Sequence, residues 1–278
     1  IPFNNEGIWG RRGYKKRARN ELDHIIALTQ KTKEALVLEG CDTSKITVLG
    51  HFVDTVRFHP RADRSIASFH INILFVGRLE EEKGVLDLLE AAKLLSQDLS
   101  LQKYTLHFIF CGRGSKLREI EQFSLIRLSH MHVHMRKSNY DDMPEVYRHA
   151  DIFVAPSKSR IRTTVRRWID TTGISRFDPD ITWEEQYNTA LLEAQASGLA
   201  IVTTNSGGIP ENVKDAAIIV PPGDIPMLVE ALRKFILDPK LREAYGQKAR
   251  KRAEIVHDIS IGARKLKELY SNVLNTES

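Results

Sequence analysis

Cysteine is almost missing from this chain: two residues in 278, Cys41 and Cys111. So few, so widely separated, they exclude a disulfide-stapled scaffold. Cys111 closes an apolar run, and both residues read as buried free thiols in a reducing compartment. Long apolar runs are missing too. Ile71–Val76 and Leu199–Val202 have the length of strands, far short of the roughly 20 residues a membrane-spanning helix needs. Ile1-Pro2-Phe3 offers neither a charged lead nor an extended apolar stretch, so no secretory signal is legible. His107, His132 and His134 follow strand alternation without metal-ligand spacing. What is present is the composition of a soluble globular protein, 42% hydrophobic and 28% charged. The length suffices for one large domain or two ordinary ones, each with its own core.

The net charge is +5, and the excess is clustered. Arg11, Arg12, Lys15, Lys16, Arg17 and Arg19 form one group; Arg160, Arg162, Arg166 and Arg167 form another. Such clusters suit an anionic partner, whether a lipid headgroup surface, a phosphorylated acceptor or a nucleic acid, and read equally well as solvated faces.

From residue 71 onward, strand and helix patterns alternate. Ile71–Val76 predicts a buried strand, and Val85, Leu88, Leu89, Ala92 and Leu95 mark a helical face after it. A strand over Leu106–Cys111, a helix over 115–129, a strand over His132–Met135 and a helix over Met143–His149 follow. The strand at Asp151–Ala155, a helix reaching Glu193, strands at Leu199–Thr204 and Ala217–Val220, and a helix from Asp224 to Leu237 complete the series. Near-continuous apolar strands joined by helices predict an α/β fold with a Rossmann-like parallel sheet covered on both faces. Ligands of such sheets bind beyond the carboxyl ends of the strands, where Gly77-Arg78, Gly112-Arg113-Gly114 and the 205–211 loop fall. The first 57 residues supply only a helix over 12–22, a strand at His24–Thr29, a helix over 30–39 and a strand at Ile46–Leu49. Two strands and two helices cannot close a doubly wound sheet.

Two motifs carry chemistry. Gly77-Arg78-Leu-Glu-Glu-Glu-Lys83-Gly84 ends a strand in a glycine and opens a helix, with Arg78 and Lys83 flanking the loop. Farther on, Glu185 and Glu193 stand with seven residues between them, Glu185 just before a helix and Glu193 inside it. Both can face a ligand at the helix N-terminus, where free N–H groups and the dipole favour phosphate. Ser206-Gly207-Gly208-Ile-Pro-Glu211 follows the next strand.

Together these stretches resemble the retaining, nucleotide-sugar-dependent glycosyltransferases of family 4. The Glu-x7-Glu signature and the Gly-Arg-x4-Lys-Gly pattern both match that family residue for residue. The resemblance implies a GT-B fold in which this chain is the C-terminal domain plus the end of the N-terminal one. Residues 1–57 would be the partial acceptor-side domain, and His51–Pro60 resembles the interdomain linker. Residues 58–255 would form the donor-binding domain with an insertion at 158–182, and 256–278 the crossover helix. About 150 further residues upstream are then expected from domain size; a complete protein with a small helical cap is the alternative.

By the same resemblance Arg78 and Lys83 bind the donor pyrophosphate, and Glu185 touches the transferred sugar and steadies charge at its ring. Glu193 accepts hydrogen bonds from ribose hydroxyls. Two fixed cations and a helix tip suit the charge that develops on a departing diphosphate, so no metal is needed. Gly77, Gly112 and Gly114 give close backbone approach, although Gly-x-Gly reads equally as a tight turn. Ser138 is the contact for the base. Asn188 stands where the family has glycine; asparagine tolerates left-handed backbone and caps helices. Thr189 and Ala190 present N–H groups to the β-phosphate. Gly207 and Gly208 form a loop near the sugar, with Glu211 either there or a structural cap. Arg136 replaces a family glycine and puts the local loop shape in question.

The 158–182 insertion, with Trp168, suits acceptor or membrane contact and reads equally as a decorative loop. Asp178-Pro-Asp180 imitates the metal motif of a different glycosyltransferase fold, in the wrong topology. The implied activity is metal-independent sugar transfer with retention, from a nucleoside diphosphate sugar to a glycan, lipid-linked or small-molecule acceptor. Neither a cofactor nor a nucleic-acid partner is expected. The expected location is the cytoplasm, with peripheral membrane contact at the inner face. A nucleotide-sugar epimerase, a phosphorylase and a non-catalytic nucleotide- or anion-binding module are the competing readings.

Overall fold

A computed structural model describes residues 21–38, 40–62, 68–126, 128–162 and 180–275. Its centre is a six-stranded sheet built from β3 (His70–Val76), β4 (Thr105–Cys111), β5 (Met131–Arg136), β6 (Ile152–Ala155), β9 (Ala200–Thr204) and β10 (Ile218–Val220). All neighbours are parallel, in the order β10-β9-β6-β3-β4-β5. The chain therefore starts mid-sheet, walks outward to β5, then crosses back to the other side of β3. The crevice between β3 and β6 is the topological switch point.

The reason lies in strands that are apolar on both faces. Ile71, Ile73 and Phe75 point to one layer with Leu106, Phe108 and Phe110. There they meet α2 (Val85–Ser96) through Leu88 and Leu95, and α7 (Ile225–Leu237) through Leu232 and Phe235. Leu74, Phe153 and Ile201 point to the opposite layer, against α4 (Met143–Arg148), α5 (Thr189–Ala196) and α8 (Pro239–Arg252). Parallel neighbours need crossover connections, and here these are helices that cover both faces of the sheet. Helix starts are chemically marked: Asp224 and Asp238 accept from the N–H groups of Met227 and Leu241 at 2.9 Å.

The helix predicted over 115–129 is shorter, α3 (Leu117–Ser124). Leu125 and Ile126 face outward, because the chain must turn back to reach β5 at Met131. The helix predicted over 12–22 lies, except for its end, outside the described residues. Cys41 and Cys111 are both buried, and neither is in a disulfide.

Residues 25–48 form a separate small unit. β1 (Ile25–Ala27) pairs in parallel with β2 (Ile46–Val48), and α1 (Gln30–Leu38) covers them over Ala27, Leu36, Cys41 and Ile46. This unit sits on the carboxyl side of the main sheet. Glu211, on α6 (Ile209–Val213), accepts from the N–H groups of Gln30 and Lys31 at 2.6 and 3.0 Å. Glu211 is thus a cap, but of α1 rather than of its own helix. The chain end returns beside the linker: Val53 N–H donates to His257 and Ile259 N–H to Val53. The final helix α9 (Ile259–Asn275) seats Gly262 against the Phe52 ring. At the two ends of the insertion, β7 (Arg160–Arg162) and β8 (Asp180–Trp183) pair antiparallel. Arg166, Arg167, Trp168 and Asp178 lie outside the described residues. Among those described, no helix is long and apolar enough to cross a membrane.

Candidate active site

The switch-point crevice gathers the two motifs. After β3 the chain leaves through Gly77 and Arg78 into a 3₁₀ turn, Glu81–Lys83, that ends on Gly84. Gly84 adopts φ 73°, and a Cβ there would stand 1.9 Å from the Pro156 carbonyl oxygen. Only glycine meets both demands. The turn therefore lies directly against Pro156-Ser157, which follow β6, and Lys158 N–H donates to the Glu82 carbonyl at 2.8 Å. Lys83 is aimed into the crevice by this packing.

There its ammonium forms an ion pair with Glu185 Oε2. The pair is secluded, with side-chain exposures of 16% for Lys83 and 10% for Glu185. Ser157 Oγ donates to the same carboxylate oxygen at 3.1 Å, and the Trp183 ring lies 5.3 Å from the ammonium. The backbone of Glu185 is clamped as well. Its N–H donates to Ser206 Oγ at 3.2 Å, its carbonyl accepts from Gly208 N–H at 2.9 Å, and Ser206 Oγ donates to the Lys158 carbonyl at 2.7 Å. Arg78 stands at the mouth, 60% exposed and paired with Glu82 at 3.1 Å.

Asn188 has φ 56°, so the left-handed turn expected of it is present. Its side chain makes no capping hydrogen bond, however. The turn is fixed from elsewhere. Asn212 donates to the Tyr187 carbonyl at 2.6 Å and accepts from Gln195 Nε2 at 2.8 Å. Sequence reasoning missed Asn212 and Gln195, two amides buried on different helices whose pairing no local pattern announces. Tyr187 is buried, and burial pushes its hydroxyl up to about 12. Thr189 and Ala190, the first residues of α5, have no helical acceptor for their N–H groups and line the crevice.

A cavity of about 300 Å³ results, walled by Gly77, Arg78, Lys83, Ser157, Glu185, Asn188, Thr189 and Ala190 among others. A second, also about 300 Å³, continues past Val76 and Gly77 to Cys111, Gly112, Lys137, Ser138 and Tyr140. The anticipated residues thus fall into two adjoining compartments, one cationic and one less polar. Arg136 extends β5 and donates to Ser138 Oγ at 3.2 Å.

Four anticipated residues line neither compartment. Gly114 packs on the Leu79 backbone, Gly207 on the Glu185 carbonyl and Gly208 on that of Gln186. Their position serves the loops that carry the charged groups. Glu193 stands beside the second compartment, within electrostatic reach of its lining residues Cys111 and Tyr140, and its Oε2 accepts from the Tyr147 hydroxyl at 2.7 Å. Burial raises the Glu193 carboxyl above the usual range, and the Tyr147 hydrogen bond and the Arg57 charge partly offset that. A larger hollow, about 530 Å³, opens near Pro60, Asp151 and Arg242. It lies at the amino ends of the strands, remote from the charged pair. His107, His132 and His134 stack on one another along the sheet, their centroids 5.2 to 6.2 Å apart.

The six-stranded parallel sheet, covered on both faces, has the α/β fold of GT-B glycosyltransferases. Solved structures agree on the fold. The UDP complex of Anabaena Alr3699/HepE matches with a TM-score of 0.73 at 17% identity, over 97% of this chain and 70% of that one. Sucrose-phosphate synthase from Thermosynechococcus elongatus matches at 0.71 and 17%, over 96% and 62%. The C-terminal domain of a group 1 glycosyl transferase (LpcC) from Francisella tularensis matches at 0.55 and 21%, over 74% of this chain and 99% of that domain.

The family model for glycosyl transferases group 1 matches residues 61–252, and the chain belongs to that family. Among curated relatives, the D-inositol 3-phosphate glycosyltransferase of Corynebacterium jeikeium is 29% identical over 83% of this chain and 53% of its own length. The capsular polysaccharide biosynthesis glycosyltransferase CapM of Staphylococcus aureus is 23% identical over 90% and 62%. The putative colanic acid biosynthesis glycosyltransferase WcaL of Escherichia coli K12 is 30% identical over 80% and 49%. The chain spans about half to three fifths of the length of these curated relatives.

Proposed function

We propose that this chain is the donor-binding half of a retaining, metal-independent glycosyltransferase that moves a sugar from a nucleoside diphosphate to an acceptor hydroxyl. One observation carries the reading: Lys83, delivered by the loop after β3, and Glu185, delivered by the loop before α5, meet at a helix tip with Arg78 at the mouth. On this reading residues 58–255 are the donor domain, 1–57 the end of an acceptor-side domain, and 256–278 the crossover helix.

The chemistry follows from the charges. The diphosphate sits on the Thr189 and Ala190 N–H groups with Lys83 and Arg78 beside it. As the bond from the anomeric carbon to the β-phosphate oxygen breaks, the electron pair goes to that oxygen, and the two cations and the helix tip stabilise it. The acceptor hydroxyl attacks from the face the phosphate is leaving, and its proton passes to the phosphate. Configuration is retained. Glu185, already engaged by Lys83 and Ser157, stabilises the sugar's ring charge and hydroxyls rather than acting as a nucleophile. Among the described residues of the cavity wall it is the sole carboxylate. The second compartment takes ribose and base, with Gly112 and Ser138 at its wall and Glu193 beside it. The relatives' names range over inositol 3-phosphate, capsular polysaccharide and colanic acid. The proposal accordingly extends to a glycan, lipid-linked or small-molecule acceptor, reached in the cytoplasm or at the inner membrane face.

A thermal-shift screen with uridine, guanosine and adenosine diphosphate sugars tests it. One base should raise the midpoint by mass action, with or without EDTA, and Lys83→Ala should abolish the shift. A midpoint unmoved by every donor, or a shift undiminished in Lys83→Ala, would end the proposal. Transfer by the isolated chain should be slight, since acceptor contacts belong mainly to the other domain.

A further inference from the structure

Glu193 is held from outside its own helix. Its Oε2 accepts a 2.7 Å hydrogen bond from the Tyr147 hydroxyl on α4, and Oε1 has no partner among the described residues. Tyr147 is completely buried, its ring set edge-on to Phe58 at 5.8 Å and tilted on Phe153 at the same distance. The same hydroxyl reaches the Ala190 carbonyl at 3.4 Å, at the first turn of α5. An aromatic ring locked on two sides gives its hydroxyl one position, and a glutamate bonded to it loses the freedom of its long side chain. Nothing in the Glu-x7-Glu spacing indicates such a partner.

Resting on the donor-site reading above, we infer that Tyr147 is the positioning residue for Glu193: its hydroxyl anchors one carboxylate oxygen so that the other is presented to the ribose hydroxyls of a nucleotide donor. A carboxylate that must serve two neighbouring hydroxyls works best with its oxygen fork fixed beforehand. Tyr147 has a second effect. The groups facing Glu193 are Tyr147 from α4, Arg57 from the linker, Tyr140 from the turn before α4 and Cys111 from the end of β4. Burial raises the carboxyl; Tyr147 foremost, then Arg57, oppose that and favour the ionised form. The Tyr147 hydroxyl is itself raised well above its ordinary range by burial and by Glu193, so it stays a donor at every working pH.

The test compares ribose with deoxyribose. Dissociation constants of the full chain for UDP-glucose, GDP-mannose and ADP-glucose are measured by calorimetry between pH 5 and 8. The 2′,3′-dideoxy counterpart of the tightest donor is measured beside it. The wild-type chain should favour ribose by about tenfold or more, as a charged hydrogen-bond acceptor implies. Tyr147→Phe, which keeps the ring packing, should cut that preference to about threefold or less and move the acid limb of affinity to higher pH. Glu193→Asp, which withdraws the carboxylate from Tyr147 and leaves the α4 core untouched, should lose the same preference. Combining Tyr147→Phe with Glu193→Gln should add nothing to Glu193→Gln alone. An unchanged preference and an unmoved acid limb in Tyr147→Phe would overturn the inference while leaving the donor site standing. A wild-type chain that binds a donor but ignores the ribose hydroxyls would instead remove the role of Glu193, and with it that of Tyr147.

Discussion

Lys83 and Glu185 hold each other, so removing either should have opposite effects on the diphosphate. The side chains are 16% and 10% exposed, a mostly desolvated pair. Lys83→Met strands the Glu185 carboxylate with the Ser157 hydroxyl, 3.1 Å away, as its remaining side-chain partner. Breaking a fully buried pair costs about 3–5 kcal/mol, and the residual exposure here reduces that to about 2–4. Glu185→Gln is milder. The amide keeps an acceptor oxygen, and Lys83 keeps the face of Trp183 at 5.3 Å; about 1–2 kcal/mol is expected. Because the two residues share one interaction, the double variant should cost about 1–3 kcal/mol less than the sum.

Binding separates them further. Lys83→Met should weaken a nucleoside diphosphate by about 100-fold, the worth of a lost charged contact. Glu185→Gln should tighten the bare diphosphate by about threefold to tenfold, because the ammonium no longer divides itself between carboxylate and phosphate. The same change should suppress sugar transfer by the whole protein. Urea denaturation of the four chains of the cycle, with calorimetry on each, measures both sets. Stabilities that add within about 0.5 kcal/mol, or a Glu185→Gln chain that loses diphosphate affinity, would refute the reasoning.

Further outcomes are expected elsewhere. Burial lowers His257 from 6.5 to about 4, with Asn212 and Tyr187 as its neighbours. The unfolded chain then binds more protons at this histidine between those values, so its contribution to stability is full above about pH 6.5 and falls toward pH 4 by up to about 3 kcal/mol. His257→Asn should flatten that slope in urea midpoints taken across the range. Gly84→Ala meets both a left-handed φ of 73° and a carbonyl 1.9 Å from the new Cβ. A loss of about 2–4 kcal/mol follows, and donor affinity should fall with it because Lys83 rides on that turn. Arg250 donates to the carbonyls of Thr55, Phe58 and Ala196 at 2.6 to 3.0 Å. Arg250→Met should therefore loosen the linker, read as faster amide exchange over residues 53–60 at an unchanged diphosphate affinity.

Much of the fold was legible because its signals are local. Strands buried on both faces, such as Ile71–Val76 and Leu199–Thr204, announce a parallel sheet by their near-continuous hydrophobicity. Glycine endings mark where the ligand side lies. The two charged motifs were readable for the same reason, each being a short run fixed to one strand–helix junction. Helix ends were read less well, as at α3, where the return to β5 and not the apolar pattern sets the boundary.

The amino-acid sequence by itself determined the sheet, the end of it at which the charged loops gather, and Arg78, Lys83, Glu185 and Glu193 as the groups to watch. Tertiary structure alone decided how they are held. Lys83 bonds to Glu185, Tyr147 to Glu193, Asn212 to the Tyr187 carbonyl, and Glu211 to α1 rather than to the crevice. These partners come from elements far apart along the chain. Their pairing is fixed by where the sheet order and the helix packing bring them, and a hydrogen bond between distant segments leaves no periodic trace in either one.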